Sequence, residues 1–70
     1  MWIEITDAKN VKRLINIDKV MDIHYSQETD LTVVEFSRGA YPAVYIRGNK
    51  LIDFRRIIDT HDMFVCKIGD

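Results

Sequence analysis

The hydrophobic period of this chain switches from strand-like to helical within a few positions, inside the stretch VYIRGNKLIDF at residues 44–54. Before that point apolar side chains recur at every second position in short runs. After it Leu51, Phe54 and Ile58 recur at i, i+3 and i+7. A period of two marks a strand with one buried face, and a period near 3.6 marks an amphipathic helix. The chain is therefore predicted to be α+β: a small, mainly antiparallel sheet of five or six strands, with one helix from the C-terminal half packed on one face. Its 70 residues make one domain, residues 1–70.

The strands are placed by their alternation and by the turn residues between them. Trp2, Glu4 and Thr6 alternate with Ile3 and Ile5, residues 7–10 (DAKN) have turn composition, and residues 11–17 are extended again, which predicts a hairpin. Asp18-Lys19 makes a corner or a single helical turn. Met21, Ile23 and Tyr25 then form the apolar phase of a third strand, and residues 26–30 are a polar loop. Residues 31–36 (LTVVEF) carry two successive valines, which points to burial on both faces near a sheet centre. Residues 37–42 are a second loop. Pro42, which has no amide donor, is expected at a strand start or an edge. A strand over residues 43–47 leads to Asn49, an expected N-cap, and a last strand runs over residues 63–68.

Composition excludes several classes. The apolar fraction is 47% and the charged fraction 30%, which is globular rather than disordered. No apolar run approaches the ~20 residues of a membrane span. MWIEITD is acidic and has no long apolar core, unlike a signal peptide, so a cytoplasmic location is expected. The single cysteine, Cys66, excludes an internal disulfide and paired-cysteine zinc. Net charge is −1, so no global field attracts nucleic acid or anionic lipid. The charge is uneven, however. Residues 1–30 carry four cations and six acids, whereas residues 38–56 carry Arg38, Arg47, Lys50, Arg55 and Arg56 against Asp53 alone.

The order WIEIT, LINIDKVMDI, a polar loop, TVVEF, a Gly-containing turn, AVYIRG and a short helix resembles the small FlbD-type proteins of bacterial flagellar operons over most of residues 2–58. Those also begin with a strand, carry an Ile-Asn-hydrophobic-acidic segment and end in one helix. Residues 17–64, with IDKVMDIHY, TVVEFSRGAYPAVYIRGNKLIDFRRI and DMF, are similar to the front half of LytTR-type DNA-binding domains. In that family much of the DNA contact comes from loops outside this half, so the resemblance implies fold rather than function. Neither family implies a catalytic residue.

Four candidate sites follow from the residues. The turn Arg47-Gly48-Asn49-Lys50 precedes a helix N-terminus, where unpaired amides and the dipole favour an anion such as a nucleotide phosphate. The same glycine and asparagine are also the ordinary chemistry of a strand-to-helix turn. The cations Arg38, Arg47, Lys50 and Arg56, with Tyr41 and Tyr45 to stack on bases, fit a salt-sensitive nucleic-acid surface; exposed tips and helix faces carry charge for solvation alone as well. His24, His61 and Cys66 are the soft ligands, with Asp22 and Asp62 nearby in sequence, but no spacing matches a metal motif or a nucleophile pair. No metal, cofactor or enzyme activity is expected, and a chain this short leaves little room for a closed pocket of ~300 Å³.

The fourth candidate is association. Trp2 lies out of phase with Ile3 and Ile5. Phe36, Tyr41 and Tyr45 are further rings that one helix is not expected to cover, and an open sheet has two unpaired edges. A chain of this size buries only roughly 60% of its unfolded surface. The reading is a non-enzymatic interaction or regulatory module of bacterial or phage type that binds another protein, with a homodimer expected. Its binding residues are Trp2, Arg38, Tyr41, Tyr45, Arg47, Gly48, Asn49, Lys50 and Arg56. The alternatives are a nucleic-acid-binding regulator using residues 38–56 and a small-anion binder at Gly48-Asn49.

Overall fold

The computed structural model describes residues 1–37, 42–60 and 67–68. The order is β1 (Trp2–Thr6), β2 (Lys12–Asn16), a 3-10 turn (Ile17–Lys19), β3 (Val20–Ser26), β4 (Leu31–Phe36), β5 (Val44–Arg47), α1 (Leu51–Thr60) and β6 (Lys67–Ile68). The α+β class, the mainly antiparallel pairing and the helix after β5 follow the sequence pattern. The single sheet does not: the strands divide into two three-stranded sheets, ordered β2-β1-β6 and β3-β4-β5. The pairs β1–β2, β3–β4 and β4–β5 are antiparallel, and β1–β6 is parallel. The 3-10 turn at Ile17–Lys19, begun by an Asn16 side chain that accepts from the Asp18 amide at 3.1 Å, is the corner at which the chain leaves the first sheet for the second.

β1 shows why alternation is informative. Ile3 and Ile5 are fully buried, while Trp2 on the opposite face is 57% exposed. β4 is central in its sheet, and Thr32, Val33, Val34 and Phe36 are all buried, as the two valines predict. Pro42 lies two residues before β5, an edge strand, so its missing amide breaks no ladder. The core joins Ile3, Ile5 and Ile15 of the first sheet to Val34, Phe36 and Ile46 of the second, and Phe54 and Ile57 of α1 close it. Phe36 is therefore a core ring rather than an uncovered one. Burying a side chain such as Phe54 or Ile57 contributes about 1.5–3 kcal/mol each, and an isolated helix as short as α1 is unstable without such contacts.

Two strips of sequence behave differently from their pattern. The buried stripe of α1 is Phe54 and Ile57; Leu51 and Ile58, expected beside Phe54, lie at the surface, as does Ile52 at 71% exposure. In β3 a register shift between Val20 and Asp22 reverses the alternation at Met21, which turns outward while Ile23 stays partly buried. A bulge inserts one residue and flips the phase on one side of it. Of the strand expected over residues 63–68, Lys67 and Ile68 are in β6, and the rest lies outside the described residues.

The two sheets meet at the β1–β2 turn. The Ala8 amide donates to the Tyr45 carbonyl and the Arg47 guanidinium donates to the Ala8 carbonyl, each at 2.8 Å. The turn itself is organised by Asp7, whose carboxylate accepts from the Lys9 and Val11 amides at 2.9 Å and from Arg13 Nε at 2.7 Å. Asn10 supplies the left-handed residue at φ 63°, a conformation that asparagine tolerates better than most side chains.

Candidate functional site

The turn from β5 into α1 is built around a residue from another strand. Thr32 of β4 is fully buried, donates its hydroxyl to the Gly48 carbonyl at 2.6 Å and accepts from the Lys50 amide at 2.8 Å. Gly48 has φ +83°, where any other L-residue is strained. Its amide donates to the Asp30 carbonyl, and the Asn49 side-chain oxygen accepts from the Leu51 amide at 3.2 Å. Asn49 thus caps the helix from one position before Lys50, whose carbonyl accepts the first intrahelical bond, from Phe54. The amides of Gly48, Lys50 and Leu51 all have protein acceptors, so a phosphate at this turn has to displace an existing bond to reach them. The arrangement supports the strand-to-helix reading of the turn.

The other sequence-nominated residues are dispersed. Tyr45 and Arg47 share the outer face of β5, where Tyr45 is 48% exposed and the Arg47 guanidinium is engaged with Ala8. Trp2 lies on the outer face of the first sheet, diagonal to Leu14 across the β1–β2 ladder, and both are exposed. Arg56 is on the exposed side of α1. Arg38 and Tyr41 lie outside the described residues, as do His61, Asp62 and Cys66. Trp2 and Tyr45 therefore belong to different sheets rather than to one aromatic cluster.

The apolar surface that the structure does assemble is elsewhere. Along one side of α1, Ile23, Leu51, Ile52, Phe54 and Ile58 line an open cleft of about 390 Å³ with Arg55 and Asp59. A second cleft, about 470 Å³, continues past Ile23 and Ile58 to Met1, Ile17, Val20 and Met21, with Asp18 and Asp22. Ile23 and Ile58 belong to both, so the two make one apolar face edged by acids and a cation. Met21, Ile52 and Ile58 were not among the sequence-nominated residues. A trace of them was visible: LIDFRRII holds more apolar residues than one helical stripe accommodates. A third cleft of about 350 Å³ lies between Leu14, Ile15, Phe36 and Tyr45 beside the Asp7 turn. All three are open clefts rather than closed pockets.

Electrostatics single out two groups. Arg13, hydrogen-bonded to Asp7, holds that carboxyl below the usual carboxylate range, with help from the Val11 and Lys9 amides. The Tyr25 hydroxyl donates to Asp30, which raises the phenol above its ordinary value. As to metal ligands, Asp22, His24 and Glu35 have ligating atoms within 4.8 Å of one another.

No family model matches this chain, nor does any curated protein or solved structure. The likeness to FlbD-type proteins and LytTR-type domains rests on residue order alone. Among the described residues no helix is long and apolar enough to cross a membrane.

Proposed function

We propose that this chain is a small non-enzymatic interaction module of the bacterial or phage regulatory kind, working in the cytoplasm, and that its docking face is the apolar surface shared by β3 and α1. The observation that carries the reading is exposure without a structural reason: Met21 is 67%, Ile52 71% and Ile58 47% exposed on adjoining clefts. Large apolar patches edged by charge mark interaction surfaces more often than isolated apolar residues do.

The occupant that fits best is a second copy of the chain. The edge of the face carries Arg55 and Asp59 on the helix, with Asp22 of β3 and Asp18 of the 3-10 turn beyond them. A two-fold interface places the same patch on both partners, so Arg55 of each copy can meet an acid of the other. The small core leaves burial for a partner to complete.

The test is light scattering over a concentration series, with Ile52→Glu as the variant. The wild type is expected at twice the 8.2 kDa chain mass. The variant is expected to be a folded monomer whose melting temperature no longer rises with protein concentration, because Ile52 is 71% exposed in the single chain. A wild-type monomer at every concentration removes the homodimer.

A further inference from the structure

On the outer face of the second sheet, register places Asp22 of β3 directly opposite Glu35 of β4, and His24, two residues along β3, shares that face. His24 Nδ1 lies 2.8 Å from Asp22 Oδ2, and the ligating atoms of all three residues fall within 4.8 Å of one another. Two carboxylates directly opposite on a ladder repel each other. Among the described residues, no lysine or arginine forms an ion pair with either of them. The pair lies on a stretch of β3–β4 with continuous pairing from Asp22 to Ser26, so the ladder holds its backbone positions.

We propose that Asp22, His24 and Glu35 form a solvent-open site for a divalent transition-metal ion of the zinc class, with water completing the coordination. Two carboxylate oxygens and one imidazole nitrogen are a donor set that such ions accept, and three protein ligands with one open position is a common zinc arrangement. The imidazole argues against calcium and magnesium, which prefer oxygen alone. Metal bonds near 2.0–2.2 Å put tetrahedral donors about 3.3 Å apart, so the present spread closes by about 1.5 Å at most on binding. Asp22 and His24 have side chains 53% and 49% exposed, which leaves their rotamers free to make that adjustment. A bound cation relieves the Asp22–Glu35 repulsion and ties β3 to β4. Asp22 also edges the face proposed for the dimer, whereas His24 and Glu35 line neither of its clefts, so variants at those two positions separate the metal site from association.

The experiment is a zinc titration of the untagged chain against a chromophoric chelator, followed by amide NMR spectra with and without zinc. One zinc per chain is expected, with the shifted amides centred on residues 22–24 and 35. His24→Ala and Glu35→Gln, neither of them in the hydrophobic core, are each expected to weaken binding by at least about tenfold, since altering even an outer-shell partner of a metal ligand costs that much. A double His61→Ala/Cys66→Ala chain is expected to bind as the wild type does. Absence of binding at millimolar zinc overturns the proposal. So does affinity unchanged by His24→Ala, or binding lost only in the His61/Cys66 chain.

Discussion

At the scale of single residues, Thr32 and Asp7 hold more of this structure than their types announce. The Thr32 hydroxyl serves both sides of the turn into α1, as donor to Gly48 and acceptor from Lys50. Thr32→Val keeps the shape and strands two part-buried backbone groups, which costs about 1–3 kcal/mol. The expected fall in melting temperature is roughly 10–20 °C, with Thr32→Ser near wild type; a valine variant as stable as wild type removes the role given to the hydroxyl. Asp7 acts through charge. Its folded pKa is lowered, so its stabilisation is complete above the unfolded value of about 3.9 and is lost as pH falls through the lower folded value. Denaturant titrations across an acid series are expected to show that loss in the wild type. In Asp7→Asn the loss should be absent, together with lower stability at neutral pH. Gly48 and Asn49 were legible in the sequence as turn and cap because their chemistry is local. Thr32 was not, since TVVEF says that the position is in a strand but not which backbone groups that strand will meet.

At the scale of elements, the alternation of β1 and the double valine of β4 carried through to burial, and the helix after β5 was visible in its period. The failures have one cause. β3 contains a bulge that period counting does not detect, so Met21 sits outside where an unbroken alternation places it inside. In α1 the apolar residues outnumber the places facing the core, and tertiary packing selected Phe54 and Ile57 over Leu51 and Ile58. That selection is testable. Phe54→Ala is expected to cost about 3–5 kcal/mol and to reduce the helical circular dichroism signal, whereas Leu51→Ala changes both only slightly. Equal losses at the two positions would contradict the observed stripe. The metal-ligand cluster escaped the sequence for the same kind of reason, because Glu35 joins Asp22 and His24 only through the β3–β4 register.

At the scale of the whole molecule, two small sheets share one core and are joined at the β1–β2 turn through Ala8. Periodicity carried the α+β class but not this division, since alternation reports which face of a strand is buried and not which neighbour it finds. The same limit scattered the nominated binding residues. Trp2, exposed as its phase predicts, and Tyr45, exposed as a ring that the helix does not cover, lie on separate sheets, while the apolar face that does form belongs to β3 and α1. The parallel pairing of Glu4 and Ile5 with Lys67 and Ile68 has a temporal corollary. Ladders between neighbours in sequence form quickly, whereas this one closes a loop of nearly the whole chain and comes at a larger entropic cost. On a translating ribosome the first strand emerges long before its second neighbour does, so during synthesis one border of β1 stays available to chaperones or to other nascent chains.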